Sequence, residues 1–238
     1  MTRPLSKLPG FDPRDVPVEP VDSPQAAVDP ARLTPQALRA RLAHPPAGWR
    51  PESTGDRFIM PGRDGVPAAA AAVLVPIVRH PRPTVLLTQR TAHLSSHAGQ
   101  VAFPGGRTDP GDRDAEATAL REAHEEVGLP PDRVEIVGRL PDYLTGTNYR
   151  VTPVVGLVEP GVALSLQPHE VADAFEVPLD WLMDPAFHRR HRVDLGDNGF
   201  RQFWSMPWTT GEGASAREYF IWGATAAMLR NLYHLLSA

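Results

Sequence analysis

Between Phe103 and Leu129 the chain reads FPGGRTDPGDRDAEATALREAHEEVGL, a Gly-Gly turn followed by a stretch carrying three closely spaced glutamates. At about 100° per residue, with Leu120 set at zero, Ala123 falls at about 300° and Val127 at about 340°. Glu125, Glu122 and Glu126 fall at about 140°, 200° and 240° on the same wheel. The acids therefore share one face and the apolar residues take the opposite one. Asp114 is placed to cap the N-terminus, and Gly128 stands where a left-handed C-terminal residue is wanted. The spacing predicts a helix over Ala115–Val127.

Three carboxylates this close repel one another by roughly 4 kcal/mol per pair for charges ~4 Å apart at an effective dielectric of about 20. A divalent cation removes that cost. Hard oxygen donors without Cys or His favour Mg²⁺ or Mn²⁺, ions that bridge protein carboxylates to a phosphate ester or anhydride. Arg121 lies beside the acidic arc, where its planar fork can hold a carboxylate in place. Glutamates at i and i+4 alone more often form a solvated helix face; the wider pattern sets this helix apart.

Phe103-Pro104-Gly105-Gly106 ahead of the acids, then Arg121-Glu122-x-x-Glu125-Glu126-x-Gly128-Leu129, resembles the box of the Nudix hydrolases. The resemblance implies an α/β/α sandwich with a central mixed β-sheet, and hydrolysis of a nucleoside diphosphate linked to another group. In the usual box a Glu follows the glycine by six positions and precedes the arginine by eight; here Gly106 leads to Asp112, and one extra residue intervenes before Arg121. That departure weakens any role for the first acid. Upstream, Leu86-Leu87-Thr88-Gln89-Arg90-Thr91 and His97-Ala98-Gly99-Gln100-Val101-Ala102-Phe103-Pro104-Gly105-Gly106 resemble the signature of the coenzyme A-cleaving branch, which shares the longer spacing. Thr91 replaces a usual Ser or Ala, and Ser95 stands where a basic residue is expected. Val151–Gly156, His169–Leu179 and Ile221–Ala226 are similar to segments of the same branch, so the resemblance runs from about Ala68 to the end.

By that resemblance the chain would use Mg²⁺ or Mn²⁺ to cut the pyrophosphate bond of coenzyme A or acyl-CoA, releasing 3′,5′-ADP and (acyl-)4′-phosphopantetheine. Glu122, Glu125 and Glu126 would form the metal shell with the backbone carbonyl of Gly105, Gly106 would permit the close turn, and Arg121 would support the site. Glu170 is the candidate general base, since a carboxylate near the metal can accept a proton from water. Glu176 is weaker, because Phe175 and Val177 mark its segment as a packed strand. Arg90, His97 and Arg107 are the candidate substrate-binding residues, with His93 near them in sequence; Tyr149 and Arg150, just before the next strand, could contact an adenine or a phosphate. Two alternatives remain open: a Nudix hydrolase for another nucleotide diphosphate such as NADH or ADP-ribose, and a catalytically weak nucleotide-binding sensor.

The 238 residues, 42% hydrophobic, fit one moderate domain with an extension. With no Cys in the chain, disulfides, thiolate zinc sites and cysteine nucleophiles are excluded. A net charge of −4 argues against a nucleic-acid-coating protein and leaves room for a local basic pocket. Small anions are the expected partners, with no nucleic acid or membrane, and a homodimer is the assembly left open. The first residues lack the apolar core of a secretory signal, and no apolar run approaches about 18 residues; the expected location is the cytoplasm. The tripeptide Ser6-Lys7-Leu8 is not C-terminal, so no peroxisomal address is readable.

Residues 1–56 read as a Pro-rich N-terminal extension with a short helix, and 57–238 as the Nudix hydrolase domain. Within the extension, 1–32 read as an extended tail or a strap across the surface. Thr34 as N-cap and Pro35 at the first helical position predict a helix through Leu42. Strands are expected at Ala70–Val78, Thr84–Thr88, Arg133–Leu140, Val151–Val158 and Ala216–Trp222. A closing amphipathic helix is expected over Gly223–Leu236.

Overall fold

In a computed structural model, which describes residues 11–20, 25–56, 66–93, 98–194 and 200–238, the apolar run Ala69–Val78 forms the central strand β2. It pairs in parallel with β8 (Tyr149–Val158) along its whole length, from Ala69 opposite Tyr149 to Val78 opposite Val158. On its other side it pairs antiparallel with β3 (Thr84–Arg90). A strand covered on both faces needs no polar alternation, which accounts for its composition. β4 (Val101–Ala102) and β9 (Val171–Pro178) pair with β3, and β6 (Val134–Arg139) and β7 (Tyr143–Leu144) with β8. The short β5 (Gly105–Arg107) is laid antiparallel on the first half of β2, with Gly105 opposite Val73 and Gly106 opposite Ala72.

One face of this mixed sheet is covered by α2 (Ala115–Val127), whose Ala119, Ala123 and Val127 pack with Ala72, Leu74, Leu86 and Val154. The helix has the predicted bounds. Asp114 Oδ1 accepts from the Ala117 amide at 2.8 Å, and Gly128 closes the helix at φ 68°. Its rotation differs from the expected one. The buried side is centred on Ala119 and Ala123 rather than Leu120, because small side chains let the helix sit close on β2, and Glu126 is carried into the interior at 4% exposure.

The opposite face is covered by α1 (Pro35–Ala43), α3 (Leu179–Leu182) and α4 (Gly223–Ser237), which bring Leu38, Leu182, Leu229 and Leu232 against Val75 and Val155. The α/β/α sandwich with a mixed sheet is thus the observed architecture. A second, antiparallel sheet adds to it, in the order β1 (Val18–Glu19), β10 (Arg189–Asp194), β11 (Phe200–Thr210), β12 (Arg217–Trp222). The Arg-rich β10 shows no apolar period in sequence. Its inward residue is His191, which stacks on Phe203 at 4.7 Å and lies 2.7 Å from the Ser205 hydroxyl.

Residues 25–33 strap the helical layer. The Val28 amide donates to the Met183 carbonyl at 3.1 Å and the Tyr233 hydroxyl to the Ala26 carbonyl at 2.8 Å, while Val28 and Leu33 are buried. Beneath the strap, Arg230 is 3% exposed; it donates to Glu52 at 2.8 Å and to Gln25 and His188 Nδ1 at 3.0 Å. Among the described residues no helix is long and apolar enough to cross a membrane.

Candidate active site

Both glycines of the turn lie in close approach to a neighbour. A Cβ on Gly105 would lie 2.5 Å from the Ala72 carbonyl oxygen and the Val73 Cα, so only glycine lets β5 lie flat on β2. A Cβ on Gly106 would lie 2.6 Å from the Glu122 carboxylate. The first glycine thus serves the sheet and the second makes room for an acid of α2. The Gly105 amide donates to Glu126 Oε2 at 3.1 Å, tying the turn to the buried end of the acidic row.

Arg121 is the hub of the exposed end. Its Nε and Nη2 donate to the two oxygens of Asp112 at 3.0 and 2.8 Å, a bidentate fork. Its Nη1 reaches Glu122 at 2.9 Å and Glu125 at 3.0 Å, and Nη2 also donates to the Arg107 carbonyl at 3.1 Å. The fork holds the Asp112 carboxyl well below its ordinary range, against the opposing effect of burial, with further donors in the Asp109 amide and the Thr118 hydroxyl. Asp112, whose role the spacing had placed in doubt, is therefore the main anchor of Arg121.

The carboxylates differ in environment. Burial pushes the Glu126 carboxyl up to about 7; the Gly105 amide and Arg90 oppose this, and repulsion from Glu122 and Glu170 adds to it. Burial also raises Glu122, against Arg121, again with repulsion from Glu125 and Glu170. Glu125 is exposed. Such carboxylates, partly balanced by Arg90 at 3.5 Å from Glu126 and Arg121 at 2.9 Å from Glu122, suit a hard divalent cation by the chemistry of their donors. Among the described residues no three His, Asp or Glu side chains already converge on a cation-sized point.

Glu170 is exposed in the turn before β9, and the backbone carries it to the site. The Gln167 amide donates to the Glu126 carbonyl at 2.9 Å, the Glu170 amide to the Gln167 carbonyl at 3.0 Å, and the Thr91 amide to the Glu170 carbonyl at 3.0 Å. Arg90 ends β3 at a bulge, where Ala172 is the extra residue of β9, and its Nη1 faces Glu126. Arg107 enters through its backbone carbonyl, with an exposed side chain. His97 and Ser95 lie outside the described residues. His93 is exposed, Tyr149 is 37% exposed, and Arg150 is 4.0 Å from Asp142 at the start of β8. Glu176 is held by His80 and Thr84 at the far end of β3. Sequence reasoning missed the pairing of Asp112 with Arg121, which spans nine positions and a loop and has no periodic signal.

The family model described as NUDIX domain matches residues 68–194. An uncharacterized Nudix hydrolase NudL of Escherichia coli O7:K1 (strain IAI39 / ExPEC) is 46% identical over 164 residues, covering 68% of this chain and 80% of its own. The protein of the same description from Escherichia coli strain K12 matches with the same identity and coverage. Among solved structures, a C. elegans Ap4A hydrolase binary complex is 24% identical with a TM-score of 0.40, covering 47% of this chain and 81% of that one.

Proposed function

Because the chain belongs to the Nudix domain family, we propose that it hydrolyses the pyrophosphate bond of coenzyme A and acyl-CoA. The products are 3′,5′-ADP and (acyl-)4′-phosphopantetheine. The observation that carries the chemistry is Glu126, buried, bonded to the Gly105 amide, and faced across 3.5 Å by Arg90. The observation that carries the substrate is the run from Leu86 to Gly106, with its resemblance to the coenzyme A-cleaving branch.

Glu122, Glu125 and Glu126, with the Gly105 carbonyl, hold Mg²⁺ or Mn²⁺ in this reading. A cation there supplies Lewis acidity toward the pyrophosphate oxygens. Arg121 positions Glu122 and Glu125 from its anchor on Asp112. Arg90 takes a phosphate oxygen once Glu126 is engaged, with Arg107 and, by the resemblance, His97 as further substrate contacts. Glu170 accepts the proton of the attacking water in this reading, its backbone being tied through the Gln167 turn to the Glu126 carbonyl. No protein nucleophile is needed, since positioning and charge neutralisation suffice for transfer to water.

Initial rates on coenzyme A, acetyl-CoA, NADH and ADP-ribose with Mg²⁺ or Mn²⁺ test this. Coenzyme A and its thioester should be cleaved fastest. Preference for NADH or ADP-ribose would keep the chemistry and defeat the substrate assignment. Tight binding of these compounds without turnover would leave a sensor.

A further inference from the structure

A second feature of the fold is a cavity of ≈ 440 Å³ between the two sheets and α4, within the range that holds a small ligand. Phe200, Phe203 and Trp204 of β11 and Trp222 at the end of β12 give it an aromatic wall. Those four residues lie outside the segment 68–194 matched by the family model. The charged groups on its lining cancel formally: Glu52 and Asp56 against Arg190 and Arg201. Gln202 and Thr147 add an amide and a hydroxyl. An aromatic, hydrogen-bonding lining without net charge favours a neutral chain of methylenes and amides. With its two carboxylates matched by two guanidiniums, the lining offers no surplus positive charge to hold the concentrated negative charge of a nucleotide bisphosphate.

The cavity and the carboxylates are neighbours along one strand pair. Gln100 lines the cavity, its carbonyl accepts from the Arg90 amide at 3.0 Å, and Arg90 Nη1 stands 3.5 Å from Glu126. We propose that this cavity binds the neutral pantetheine arm of the substrate, with the pyrophosphate turned toward Arg90 and Glu126. The identity of the arm rests on the coenzyme A reading above; the site itself rests on the lining. The segments added around the matched domain thereby select the substrate half that carries no nucleotide.

Calorimetric titration of the full chain with pantetheine tests the site without reference to turnover. Wild type should bind pantetheine. Ala224→Phe, which fills a lining position of α4, should weaken pantetheine and raise the KM for coenzyme A by about tenfold or more at little changed kcat. Affinity for 3′,5′-ADP should be unchanged. Gln202→Ala, a change at an exposed strand position, should weaken pantetheine without affecting 3′,5′-ADP, and it decides the matter if Ala224→Phe does not fold. No pantetheine binding by wild type, equal binding by the folded variants, or equal weakening of 3′,5′-ADP would overturn the proposal. A wild type that binds pantetheine in this variant-sensitive way yet leaves coenzyme A intact would uphold the cavity and defeat the functional reading instead.

Discussion

Arg121 and Asp112 form a bidentate pair at 3.0 and 2.8 Å, and the same guanidinium holds Glu122 at 2.9 Å. Asp112 thus acts on the acidic row through Arg121. Lys in place of Arg121 keeps the charge and loses the fork. Arg121→Lys and Asp112→Asn should each lower kcat/KM by about 10²-fold, the scale of a misplaced catalytic group. The double variant should be little worse than either single change, because both break one unit. Losses that multiply independently would show that the two residues act separately.

The two glycines separate fold from site. Gly105→Ala forces a methyl against the β2 backbone, so it should cost about 1–3 kcal/mol and lower Tm by several degrees. Gly106→Ala pushes on the Glu122 carboxylate, a movable side-chain end, so Tm should stay within about 2 °C. Turnover should drop by about tenfold or more as the acid shifts. Thermal melts and initial rates on both variants check the contrast.

His188 gives the stability an acid-sensitive component. Its Nε2 lies 2.8 Å from the Leu182 carbonyl and its Nδ1 3.0 Å from Arg230, so the neutral ring donates at one nitrogen and accepts at the other. Burial lowers its pKa to about 4 from 6.5, with the Arg230 charge acting the same way, while the Leu182 carbonyl, Glu52 and Asp184 oppose it. A depressed folded value means the unfolded chain binds more protons between about pH 4 and 6.5, so stability falls as pH falls through that window. The shift corresponds to about 3 kcal/mol at 1.36 kcal/mol per unit. The raised Glu126 acts oppositely, losing stability as pH rises from 4.5 to about 7. The comparison of interest is therefore wild type against His188→Gln, whose loss of Tm between pH 7 and pH 5 should be the smaller. Direct titration of the ring by NMR with a midpoint at or above 6 would contradict the account.

Residues 25–33 bury Val28 and Leu33 and bond to Met183 and Tyr233, which makes the segment a strap. At about 1.5–3 kcal/mol for each buried aliphatic side chain, deletion of residues 1–33 should lower Tm by at least about 5 °C. An unchanged Tm would show the strap to be dispensable.

What the sequence revealed was local. The bounds of α2 follow from Asp114 and Gly128, β2 from an unbroken apolar run, and β8 from the mostly apolar run Val151–Val158. What it hid depends on contacts distant in the chain. The rotation of α2 is set by Ala119 and Ala123 against Ala72 and Leu74, so a helical wheel centred on Leu120 misjudges the burial of Glu126. β10 is held by His191 with Phe203 and Ser205 of the next strand, and its arginines give no sign of a strand. The aromatic residues of β11 and β12 carry no sequence sign of lining a cavity, because a cavity wall and a packed interior draw on the same side chains.

The central claim is that the buried Glu126 drives pyrophosphate hydrolysis of coenzyme A. Glu126→Gln preserves size and an oxygen for the Gly105 amide while removing the charge. The direct measurement follows coenzyme A with Mg²⁺ by mass spectrometry, for wild type and this variant side by side. The account predicts 3′,5′-ADP and 4′-phosphopantetheine from wild type, formed about 10³-fold more slowly by the folded variant. An intact substrate with wild type, or a variant rate within about twofold of it, would contradict the claim.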